Sequence, residues 1–89
     1  MKQLLKEAIK EINEDLEIKE LENITDDTPL FELLDSMAVL DLILELESKL
    51  QEKYGKYIQI ADETIMDSNK TPFKTFETLR IFLEGKIDG

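Results

Sequence analysis

The chain has 89 residues, 42% hydrophobic and 36% charged, and its 21 acidic against 11 basic side chains give a formal charge of −10. That size suits one small domain with a modest core, and the lack of cysteine and histidine excludes thiol nucleophiles, the common zinc ligand sets and histidine-based triads. So negative a field repels phosphate backbones and anionic lipid and attracts positive protein surfaces, which makes nucleic acid and membrane poor partners and basic proteins good ones.

The opening MKQLLKEAIKEI mixes both charge signs and lacks the unbroken apolar run of a signal peptide. No later stretch approaches membrane-spanning length, so the expected location is the cytoplasm. Leu4, Leu5, Ala8, Ile9, Ile12 and Leu16 recur at helical spacing with Lys6, Glu7, Lys10 and Glu11 between them, predicting an amphipathic helix that frays over residues 14–16. Residues 17–34 read as a long loop: Asn23, Thr25, Asp26, Asp27, Thr28 and Pro29 are turn formers, while Leu21, Ile24, Leu30, Phe31 and Leu34 pin the loop to a core.

Asp35 then offers an N-cap, and a strong helical pattern runs from Ser36 to about Tyr54, with Gly55 as the helix-ending residue. Tyr57, Ile58 and Ile60 form a short apolar connector, residues 62–66 a helical turn, and residues 67–70 a polar loop. A last helix begins at Thr71-Pro72 or Thr75, carries Phe73, Phe76, Leu79, Ile81, Phe82 and Leu83, and ends near Gly85. With no strand pattern and no repeat, the expectation is an all-α fold in a single domain spanning 1–89.

On a wheel of about 100° per residue, Val39, Leu42, Ile43, Leu46 and Leu50 of the long helix fall in one arc, the core face. Asp41, Glu45, Ser48, Lys49 and Glu52 gather on the opposite, solvated side. On one flank Met37, Leu40 and Leu44 form a further apolar strip with Asp41, Glu47 and Ser48 around it. A wide apolar face ordinarily packs against two neighbouring helices. Left partly exposed among carboxylates, the same strip suits brief docking with basic partners.

Ser36 heads that strip. As a nucleophile it has no histidine to activate it, and Asp35 beside it accepts hydrogen bonds and offers no oxyanion hole, so a serine hydrolase is rejected and no enzymatic activity is expected. It is also a candidate N-cap or an indifferent first-turn residue. A third reading esterifies its hydroxyl to a phosphate, because the first turn of a helix presents unpaired N–H groups and the positive end of the dipole to an anion.

The run Leu34-Asp35-Ser36-Met37, followed by Leu40, Asp41, Leu42, Leu46, Glu47 and Leu50, resembles the Asp-Ser-Leu motif and second helix of acyl carrier proteins, including their peptidyl and D-alanyl relatives. The likeness extends to Thr28-Pro29-Leu30-Phe31, to Ile60-Ala61-Asp62-Glu63 and to Thr75-Phe76-Glu77-Thr78-Leu79. It implies a right-handed four-helix bundle with a long loop between helices 1 and 2 and a short third helix. It also implies a 4′-phosphopantetheine arm on Ser36, next to Asp35, installed by a holo-carrier-protein synthase (a phosphopantetheinyl transferase). The arm's thiol would hold an acyl or aminoacyl group as a thioester for loading and transferring enzymes with basic docking surfaces. On this reading the chain is a stand-alone, monomeric carrier whose partners are recognised through Met37, Leu40, Asp41, Leu44 and Glu47.

The chain departs from the family pattern by having Glu32, Leu33 and Leu34 where many members carry a glycine, and Ala38 where fatty-acid members often carry an acid. Leu33-Leu34-Asp35-Ser36 and Asn69-Lys70-Thr71-Pro72 look closer to D-alanyl or aminoacyl carriers. A calcium site is not expected, since the segment from Asp62 lacks the central glycine of a calcium loop. The alternative function is an unmodified acidic helical module that binds another protein through its exposed strip.

Overall fold

The longest helix begins and ends where its flanking residues dictate. In the computed structural model, which describes residues 1–88, it spans Ser36–Tyr54. The Asp35 carboxylate accepts the Ala38 N–H at 2.8 Å, and Gly55, in the left-handed region at φ 72°, donates its N–H to the Gln51 carbonyl. These are the N-cap and the left-handed C-cap that satisfy orphan backbone groups at the two ends of a helix. In chain order the helices are α1 (Lys2–Leu16), α2 (Leu30–Leu33), α3 (Ser36–Tyr54) and α4 (Phe76–Asp88), with 3-10 turns at Lys19–Glu22 and Pro72–Lys74. No strand occurs among the described residues.

α1 buries Leu4, Leu5, Ala8 and Ile9 and packs chiefly on α3. Glu11 reaches Lys49, Gln3 and Glu7 lie beside Lys53, and Asp15 lies beside Asp41, so the two helices run antiparallel. The far end of α1 therefore sits at the same end of the molecule as Ser36. The core face of α3 is as its spacing predicts, with Val39, Leu42, Ile43, Leu46 and Leu50 all buried. Its opposite side is less uniform than a solvated face: Glu45 and Lys49 are half-buried because α1 lies against them.

α1 ends on Glu17, which adopts φ 55° and donates its N–H to the Asn13 carbonyl at 2.8 Å. The Asn13 side chain then grips the N–H and the carbonyl of Ile18, at 2.8 and 3.0 Å. A left-handed conformation costs a residue with a Cβ roughly 1–2 kcal/mol, and a carboxylate opposes the negative pole of the helix. Glu17→Gly removes both penalties at some cost in chain entropy, so the unfolding free energy should rise by about 0.5–1 kcal/mol in urea titration. An unchanged or lower midpoint would show that this turn holds no strain.

The loop that leads to Ser36 is anchored rather than loose. Leu21, Leu30 and Leu34 are buried, and Ile24 and Phe31 pack partly against the core. The Thr28 hydroxyl accepts the Thr25 N–H at 2.8 Å, while the carbonyls of Thr28 and Asp26 accept the N–H groups of Phe76 and Glu77, each at 3.0 Å. The first turn of α4 thus hangs on this loop, and it is closed from its own side by a reciprocal pair: Thr78 N–H to the Thr75 hydroxyl and Thr75 N–H to the Thr78 hydroxyl.

Two expectations need correction. The short helix that the resemblance implies between the two long C-terminal helices is not formed: residues 63–66 make only a turn, closed by the Ile65 N–H on the Asp62 carbonyl, with the Asp62 side chain taking the Thr64 N–H and hydroxyl. Those two bonds, the side-chain one foremost, hold the Asp62 carboxyl below its ordinary pKa. They also favour a local turn over helix propagation. The last helix does not stop at Gly85 but runs to Asp88. Ile87 packs partly on the core and its carbonyl accepts Lys56 Nζ at 3.3 Å, which offsets the roughly 1 kcal/mol that a glycine costs inside a helix. Ile81 is exposed, since it lies about 200° around α4 from the buried Leu79.

One hydrophobic cluster draws on α1, α2, α3, α4 and the connecting turns. The radius of gyration is 12.0 Å, about the 12 Å of a compact chain of this length. No helix among the described residues is long and apolar enough to cross a membrane.

Candidate functional site

The N-terminal half of α3 carries the candidate site. Asp35, extended at φ −79° and ψ 177°, supplies the cap, so Ser36 is the first helical residue and not the cap itself. Leu34 before it is also extended, at φ −103° and ψ 134°. The chain therefore enters α3 through two ordinary extended residues, and a glycine is not needed there. Ser36 is exposed, and among the described residues nothing hydrogen-bonds to its hydroxyl. The Val39 N–H already bonds the Asp35 carbonyl and the Ala38 N–H the Asp35 carboxylate. That leaves the N–H groups of Ser36 and Met37 uncommitted at the positive end of a 19-residue helix.

From Ser36 the apolar strip runs down the helix. Met37 is 68% exposed, Leu40 51% and Leu44 65%. The spacing of three and four residues keeps them on one face, and Leu44 lies about 12 Å along the axis from Ser36. Asp41 is exposed between them. Ala38, the residue that departs from the acidic pattern, points inward and is buried, so an acid there would need to be desolvated.

Glu47 differs from the other residues assigned to the strip. It is half-buried, and its carboxylate accepts the Ile60 N–H at 3.1 Å, tying the connector down so that Ile58 and Ile60 are buried. Its structural task is thus to hold the connector at Ile60.

Beside the strip, on the α1 side, lies a feature that helix periodicity on α3 alone does not reveal. The half-buried Ile12 and Leu16 of α1 floor a groove of about 430 Å³ that is lined further by the exposed Leu44 of α3 and by Glu11 and Asp15 on one helix and Asp41 and Glu45 on the other. Lys49 contacts Glu11 at 3.2 Å and Glu45 at 3.8 Å. The adjacent Glu11 carboxylate, together with burial, pushes the pKa of Glu45 up. Hydrogen bonding from Glu45 and Lys49 pulls that of Glu11 down, and Glu11 in turn raises that of Lys49. The one signal for this groove in α1 was Asp15, an acid in the last turn with no basic residue there, against the preference of the helix dipole.

No family model, no characterised protein and no solved structure matches this chain.

Proposed function

We propose that this chain is an acyl carrier domain that holds an acyl or aminoacyl group as a thioester on a 4′-phosphopantetheine arm esterified to Ser36. The observation that carries the reading is the division of labour at the head of α3: Asp35 does the capping, which leaves an exposed serine hydroxyl with no structural task directly above an exposed apolar strip. The residues present fit a phosphodiester. The free N–H groups of Ser36 and Met37 and the helix dipole favour its anion, while the anchored loop at 26–34 keeps the hydroxyl at the surface, within reach of a modifying enzyme.

The arm, when attached, supplies a flexible tether ending in a thiol. The chain's own residues do the rest by presentation. Met37, Leu40 and Leu44 offer adaptable apolar contact, and Asp41 steers basic enzyme surfaces towards it. In this reading the fold is a variant of the carrier four-helix bundle in which the third helix is reduced to the turn at 63–66 and a short helix, α2, precedes the modified serine.

Incubation with a phosphopantetheinyl transferase and coenzyme A should raise the mass by about 340 Da, one phosphopantetheine ester per chain. A folded chain that gains no mass with several promiscuous transferases would leave the alternative, an unmodified acidic module binding through the same strip.

A further inference from the structure

The groove between α1 and α3 combines three properties that no single helix of the chain has. Its floor is apolar, its walls carry four carboxylates, and the cation at its edge, Lys49, is already engaged by Glu11 and Glu45. Asp15 and Asp41 have no ion-pair partner among the described residues. The rim residues Glu11, Asp15, Asp41 and Leu44 are exposed, so the groove is open to a chain laid along it.

One acid of the groove stands where local physics disfavours it. Carboxylates at the C-terminal end of a helix oppose its dipole, yet Asp15 lies in the last turn of α1, which carries no basic residue. Local choices that run against helix stability mark positions held for another purpose. Leu44 belongs both to the groove and to the strip below Ser36, so the two form one continuous surface.

We propose that this groove is a docking channel for a partner protein's amphipathic helix whose apolar ridge is flanked by arginines. The ridge covers Ile12, Leu16 and Leu44, and guanidinium groups answer Asp15 and Asp41, for which their planar fork is better matched than a lysine ammonium. The channel adds α1 to a docking face otherwise confined to α3. It rests on the carrier reading only in taking the natural partner to be an enzyme that acts at Ser36.

The probe is a synthetic amphipathic helical peptide with a leucine ridge flanked by arginines, titrated into the isotope-labelled full chain. Backbone amide shifts should concentrate at Ile12, Asp15, Leu16, Asp41 and Leu44, and the same peptide with glutamates in place of arginines should not bind. Asp15→Lys should weaken the arginine peptide about tenfold, the scale of one lost charge-assisted contact, and should at the same time raise the urea midpoint, because lysine suits the end of α1. Glu20→Lys, the same charge change on an exposed residue outside the groove, should weaken binding less than about twofold, as screened distant charge does.

Equal losses for the two variants, shifts centred on another face, or binding of the glutamate peptide would overturn the channel. These titrations read the groove whether or not Ser36 is modified. A failed channel therefore leaves the mass-gain experiment untouched, and a failed mass gain leaves the titrations standing.

Discussion

Ser36→Ala will gain no mass from coenzyme A and a phosphopantetheinyl transferase under conditions that convert the parent completely, and its stability will stay within about 0.5 kcal/mol of the parent's. The second half of this expectation separates the carrier reading from the ordinary explanation of a serine at a helix start. Had Ser36 been the N-cap, its removal would cost about 1 kcal/mol. The cap is Asp35, whose carboxylate takes the Ala38 N–H, and Ser36 is the first residue inside the helix. Alanine at that position is at least as good a helix former as serine. Asp35→Ala should do the reverse, lowering the unfolding free energy by about 1 kcal/mol while leaving Ser36 open to esterification. A Ser36→Ala chain that still gains the full mass would move the attachment elsewhere. One that loses a cap's worth of stability would return Ser36 to a structural role.

The head of α3 was the most legible part of the sequence, and the reason is local. An aspartate before an apolar pattern and a glycine after it act through bonds that span three or four residues, and they fixed both ends of the helix. The exposed strip was legible for a related reason: Val39, Leu42, Ile43, Leu46 and Leu50 already fill the buried arc, so Met37, Leu40 and Leu44 fall outside it. What periodicity on one helix cannot supply is which helix lies beside it. The half-burial of Glu45 and Lys49 and the groove with Ile12, Asp15 and Leu16 depend on α1 running antiparallel to α3. The task of Glu47 depends on a backbone N–H thirteen residues away. Residues 62–66 were legible as a turn, and what is missing is the short third helix that the resemblance implies, because Asp62 and Thr64 satisfy each other locally. α4 outran Gly85 because the partial burial of Ile87 and the Lys56 bond to its carbonyl, both tertiary effects, outweigh an unfavourable propensity.

Phe73→Ala should come close to abolishing the folded state. Phe73 is fully buried in the 3-10 turn before α4, with its N–H donated to the Thr71 hydroxyl at 3.1 Å. Truncating a buried phenylalanine costs about 3–5 kcal/mol, because the lost transfer energy is joined by the cost of the cavity. A domain of this length holds only about 4–13 kcal/mol in total. The turn also packs against α2, so the damage spreads to the loop that presents Ser36, which α4 otherwise secures through the Phe76 and Glu77 N–H groups on the carbonyls of Thr28 and Asp26. The milder Phe73→Leu should lose about 1–2 kcal/mol and stay folded, while hydrogen exchange at the Phe76 and Glu77 amides accelerates by the corresponding factor and modification of Ser36 slows. Equal urea midpoints for the alanine variant and the parent would remove Phe73 from the core. Unchanged exchange at both amides in the leucine variant would show that the loop before Ser36 is held independently of α4.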